Sequence, residues 1–212
     1  MDPIMHRRFV LLDFNSLFPA FLFALATFSK TAQAHLVTSG VGPFFDGVAH
    51  FFVSLDDLLV VVALSLLSGL LGKTAARGLV LVLPLAWFVG MVVGLSFADR
   101  IEGGAWATAF TVLLGGLLLS FSPKLPTWGI TTVAGLIGLV HGSWNGAAMR
   151  ATETSTIASL GIVTAAGVVA LVLSATAVSS HKPWQTIALR VIGSWVAAFG
   201  LLAIAWHFRP NV

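Results

Sequence analysis

Apolar residues along this chain come in long runs, and most of the charge lies outside them. Six runs, at about 44–71, 78–98, 105–122, 127–149, 155–179 and 184–207, are as long as the ~17 to 25 residues a helix needs to cross a bilayer. A membrane barrel would show segments of ~10 residues alternating apolar and polar, and these runs do not alternate. The pattern predicts an all-α, polytopic membrane helix bundle with six transmembrane helices. Ahead of them, Arg7 and Arg8 form a basic start, Leu17 to Phe28 an apolar stretch broken by Pro19, and Ala32-Gln33-Ala34 a small-x-small cleavage site. Residues 1–34 therefore read as a signal peptide, or as an extra helix if uncleaved, and 35–212 as a single six-helix domain.

Composition sharpens this picture. The chain is 58% hydrophobic and 9% charged, against about 25% charged in soluble domains. Its net charge of +3 comes from basic residues scattered singly between apolar runs, which gives no footing for nucleic acid. The scatter fits the positive-inside bias: with the mature amino terminus outside, inner loops hold Lys73, Arg77, Lys124 and Lys182 and no acid. Outer loops hold Asp99, Arg100, Glu102, Arg150 and Glu153. The expected location is a bacterial inner membrane, multi-pass, with a periplasmic amino terminus and the lipid bilayer as first partner. Trp106, Trp128, Trp184 and Trp206 fall near span ends, as an aromatic belt places them. Glycines inside the spans, among them Gly90, Gly94, Gly138 and Gly161, are expected to let helices approach closely.

The chain has no cysteine, so a metal site would be built from His, carboxylate, amide or Met. The run from Gly42 to Gly72 carries Asp46, His50, Asp56 and Asp57. A carboxylate near mid-membrane costs at least ~2.5 kcal/mol on insertion scales and marks a pathway or site. Read as one helix, the run puts Asp46, His50 and Asp57, in steps of four and seven, on one stripe, with Asp56 roughly 120° away. The fourth run holds His141 and Asn145, four apart and so on one face. Because the first span runs inward and the fourth outward, His50 and His141 come to similar depth near the outer surface, where His35 and His207 also fall. That arrangement suits a divalent cation exchanging its water for fixed nitrogen and oxygen ligands. A structural reading stands beside it: an imidazole bonded to Asp57 or a carbonyl, the two acids a polar clamp between helices, and Asn145 a packing residue.

Two stretches resemble the HupE/UreJ family of nickel and cobalt permeases. His50-Phe51-Phe52-Val53-Ser54-Leu55-Asp56-Asp57 aligns with a signature close to H-P-x-x-G-x-D-H, with Ser54 in place of Gly and Asp57 in place of the second His. His141-Gly142-Ser143-Trp144-Asn145-Gly146-Ala147-Ala148 aligns with the His and glycines of F-H-G-x-x-H-G-x-E, with Asn145 in place of the second His and Ala148 in place of Glu. The family's Ala-His junction falls at Ala34-His35. The resemblance implies a permease whose path is lined by His50, Asp56, Asp57, His141 and Asn145, with His35 and Asp46 as capture ligands outside. Its substrate would be a divalent metal ion, Ni or Co, or Mn, Fe or Mg given the poorer nitrogen content, with no tightly bound cofactor. The competing reading is a non-transporting accessory subunit of a larger membrane complex, built on the same scaffold and partnered by other membrane subunits. An enzyme finds no support, since no H-E-x-x-H, phosphate loop or Ser-His-Asp order is visible. The two sets of three spans would run in opposite senses, as in an inverted repeat.

Overall fold

The computed structural model describes residues 39–98, 104–151, 156–180 and 182–209. The expected signal peptide and His35 lie outside the described residues. Among the described residues the chain is all helix, with α1 Pro43–Val53, α2 Leu55–Leu71, α3 Lys73–Ser96, α4 Gly104–Phe121, α5 Thr127–Ala151, α6 Thr156–Val178 and α7 Pro183–His207. α3, α4, α6 and α7 are each long and apolar enough to cross a membrane, and the bent pair α1–α2 makes a fifth span if counted as one. α5 has 25 residues, about 37 Å at 1.5 Å per residue. It is long enough to span but more polar than the others, because it carries His141, Asn145 and Arg150.

The first apolar run is not one helix. It breaks at Ser54, which adopts an extended backbone (φ −75°, ψ 90°), and α1 departs from α2 by 74°. The cause is local. Serine followed by two acids is a helix-start pattern, because Ser favours the N-cap position and carboxylates favour the positive end of the helix dipole. The Ser54 carbonyl accepts the first bond of α2, from the Leu58 amide at 3.0 Å, while the Ser54 amide closes α1 on the His50 carbonyl at 2.9 Å. The single stripe of Asp46, His50 and Asp57 is therefore corrected: Asp57 belongs to a different rod from the other two. α1 lies instead against the start of α6, where the Phe44 carbonyl fills the space a side chain on Gly161 would need.

α2 is the axis of the bundle. It touches all the other helices, and Val60, Val61, Ala63, Leu64 and Leu67 on it are fully buried. The remaining helices pair around it, α3 with α5, α4 with α7 and α2 itself with α6. Each pair meets at glycines. A Cβ on Gly142 would overlap the Trp87 carbonyl oxygen, one on Gly94 the Ser143 carbonyl oxygen, and one on Gly146 the Met91 carbonyl oxygen, so α3 and α5 run backbone to backbone. Close approach of this kind supplies the van der Waals contact that lipid-facing helices cannot obtain from the hydrophobic effect. At the far end of the same pair, Arg150 Nη1 donates to the Leu95 carbonyl at 2.7 Å.

Exchanging the first three spans for the last three turns the α2–α6 contact into α5–α3 and leaves α4–α7 unchanged, as an inverted repeat requires. The match is partial, since α2 also packs on α4. Trp106, Trp128, Trp184 and Trp206 are exposed near helix ends. Leu81, Leu85, Leu171, Leu201 and Leu202 are exposed along the outer surface, the apolar coat that a lipid solvent calls for.

Candidate metal centre

A buried polar cluster sits where α1, α2, α4 and α5 converge. Its centre is Asp57, on the first turn of α2 and 3% exposed. Asp57 Oδ1 lies 2.7 Å from His141 Nδ1 of α5, and Asp57 Oδ2 accepts from Asn145 Nδ2 at 2.9 Å. The second Asn145 N–H donates to the His141 carbonyl at 3.0 Å. Those two acceptors fix the orientation of the amide, so Asn145 Oδ1 faces the remaining partner, His50 Nε2 of α1, at 3.1 Å. That contact needs a proton on His50 Nε2, because a carbonyl oxygen only accepts. Ser54 Oγ lies 3.3 Å from the same nitrogen, which explains why this serine makes no side-chain cap on α2.

His141 is fully buried and held on both ring nitrogens. Opposite Asp57, its Nε2 lies 2.7 Å from Thr111 Oγ1 of α4, and Thr111 also donates to the Thr108 carbonyl at 2.7 Å. The Trp87 ring of α3 packs on the imidazole at a centroid distance of 5.2 Å, and Phe51 packs on Trp87 at 6.3 Å. Five helices thus fix one ring. Trp87 Nε1 is buried without a hydrogen-bond partner among the described residues.

Ligand atoms of Asp56, Asp57 and His141 all lie within 4.8 Å of one another. Asp56 is half-buried, and no hydrogen bond or ion pair occupies its carboxylate among the described residues. The separation of Asp56 from the site expected on a continuous helix is thereby corrected: at the first turn of α2, the adjacent carboxylates come within 4.8 Å of each other and of His141. Asp46 is elsewhere. It is half-buried on α1 and accepts from the Ser39 amide at 2.5 Å. The structure therefore brings together His50, Asp56, Asp57, His141 and Asn145, leaves Asp46 outside the cluster, and does not describe His35. Thr111 and Trp87 were missed in the sequence. The i, i+3 pair Thr108 and Thr111 inside an apolar run was the one available signal for the former; Trp87 looks like any other aromatic of a span.

Burying acids this way is tolerable because each has compensation. Asp57 receives an imidazole and an amide donor, and both acids lie at the positive end of the α2 dipole. The donor set, two carboxylates and imidazole with an amide carbonyl beside them, is of the kind that holds borderline-to-hard divalent cations.

A HupE / UreJ protein family model matches residues 23–203. The chain belongs to the HupE/UreJ family. Protein HupE of Rhizobium leguminosarum bv. viciae is 31% identical over 175 residues, covering 80% of this chain and 87% of that protein. No solved structure matches the chain. Against the HupE/UreJ signatures, the geometry gives the two missing histidines a common location: Asp57 and Asn145, which stand in their places, are hydrogen-bonded to each other. These two of the four departures therefore meet in one site.

Proposed function

We propose that this multi-pass membrane protein is a divalent transition-metal permease of the nickel/cobalt type, in which Asp56, Asp57 and His141 hold the ion and His50 and Asn145 line its approach. The inner membrane is its site of action, with the cluster toward the outer face. The observation that carries the reading is the convergence of two carboxylates and an imidazole inside a bundle with an apolar coat. With metal–ligand bonds of about 2.0–2.2 Å, neighbouring donor atoms on one ion sit roughly 3.0–3.4 Å apart. The Asp57–His141 pair, now 2.7 Å apart across a proton, needs to open by only about half an ångström once that proton leaves. The Asp57–Asn145 pair, standing where a HupE/UreJ protein of the resembling type has histidines, makes the site richer in oxygen, so Mn, Fe and Mg join Ni and Co as substrates to be tried.

The test is metal uptake into proteoliposomes containing wild-type, His50→Ala or Asp56→Ala protein. Uptake of at least one of these ions collapses in both variants under this reading; uptake unchanged in both defeats it. The competing role, an accessory subunit of a larger complex, predicts instead that the wild-type protein moves no ion and co-purifies with partners in mild detergent.

A further inference from the structure

A groove of about 530 Å³ runs between α3 and α6 at the basic end of the bundle, away from the metal centre. Val80 and Leu81 of α3 and Leu171 and Ala175 of α6 wall it, and Lys73 and Arg77 stand at its mouth. Lys73 and Arg77 are four residues apart on α3 and so share a face. Both are exposed, and among the described residues neither has an ion-pair or hydrogen-bond partner. Lys124 lines a neighbouring cavity together with Gly72 and Ser180, so among the described residues this end gathers cations without an acid to answer them.

We propose that the groove binds one anionic phospholipid of the cytoplasmic leaflet, its phosphodiester between Lys73 and Arg77 and an acyl chain along Val80, Leu81 and Leu171. Two arguments select this occupant. The first is charge: basic pockets between transmembrane helices on the cytoplasmic side attract anionic headgroups, whereas a zwitterionic lipid brings its own cation. The second is length. From Lys73 to Leu81 the groove follows eight residues, about 12 Å of helix, close to the ~15 Å that one leaflet contributes to the hydrocarbon core. A free phosphate would leave that apolar length unfilled.

Native mass spectrometry of the full-length protein in mild detergent, titrated with phosphatidylglycerol or phosphatidylcholine, tests the assignment. One phosphatidylglycerol should bind in preference to phosphatidylcholine. Lys73→Ala and Arg77→Ala should each weaken that binding roughly fivefold, and the double variant about thirtyfold. Lys182→Ala, at the same end but outside the groove, should leave it within about twofold. Ala175→Leu, which narrows the groove without touching charge, should weaken a long-chain lipid more than a dihexanoyl one. Equal binding of the two headgroups, a double variant that keeps the preference, or a Lys182→Ala loss as large as the pair's would overturn the proposal.

Discussion

Replacing Asp57 by Asn is the sharpest probe of the centre, because it keeps the shape and removes the charge and one acceptor. In the wild type, Oδ1 faces His141 Nδ1 at 2.7 Å and Oδ2 accepts from Asn145 Nδ2 at 2.9 Å. An asparagine offers one carbonyl oxygen and must turn its NH2 toward either His141 or Asn145. Turned toward Asn145 it opposes two donors, since that amide is held by its second bond to the His141 carbonyl. Turned toward His141 it forces the ring to present a lone pair on Nδ1. Losing a charge-assisted hydrogen bond and stranding a buried donor costs about 2–4 kcal/mol. At roughly 2–4 °C per kcal/mol for a chain of this size, the melting temperature should fall by about 5–15 °C. Uptake should fall further than folding explains, because Asp57 is also a proposed ligand. Thermal unfolding in detergent and uptake in proteoliposomes, both on Asp57→Asn and Asp57→Glu, separate the two effects. A variant that melts within about 2 °C of wild type and transports normally would refute both the hydrogen-bond assignment and the ligand role.

Metal binding should release a proton, since the ion replaces the one shared by His141 Nδ1 and Asp57 Oδ1; calorimetry in buffers of differing ionisation heat should find about one proton per ion and affinity falling as pH is lowered. Thr111→Val removes the hydroxyl at 2.7 Å from His141 Nε2, leaves a buried ring nitrogen unpartnered, and should lower stability by about 1–3 kcal/mol, read as a drop in melting temperature. Gly142→Ala drives a methyl into the Trp87 carbonyl and should destabilise by about 1–3 kcal/mol or more. Gly115→Ala, whose methyl meets only ordinary contacts at 3.5 Å, should be neutral or slightly stabilising, and thermal melts compare the two directly.

The helices were legible in the sequence because in lipid the solvent enforces them: every backbone group must be satisfied within its own segment, so long apolar runs become helical. The glycines and the terminal tryptophans were readable for the same reason. The break at Ser54 was not, although Ser54-Leu55-Asp56-Asp57 carries a helix-start pattern. Hydrophobicity continues across it and masked the local signal. His141 and Asn145 were expected on one face, and they are. What spacing could not give was the amide's double duty, bonded to Asp57 on one side and His50 on the other, because that depends on three helices meeting.

Backbone-to-backbone contact of α3 with α5, reinforced by the Arg150 tether, has a mechanical consequence. Glycine faces seated on carbonyls leave no slack for one rod to slide or roll on the other, so His141 and Asn145 travel as fixtures of a stiff plate. Any widening of the polar cluster must then come from the opposite wall, where Asp57 and His50 ride on two separate rods joined at the Ser54 elbow.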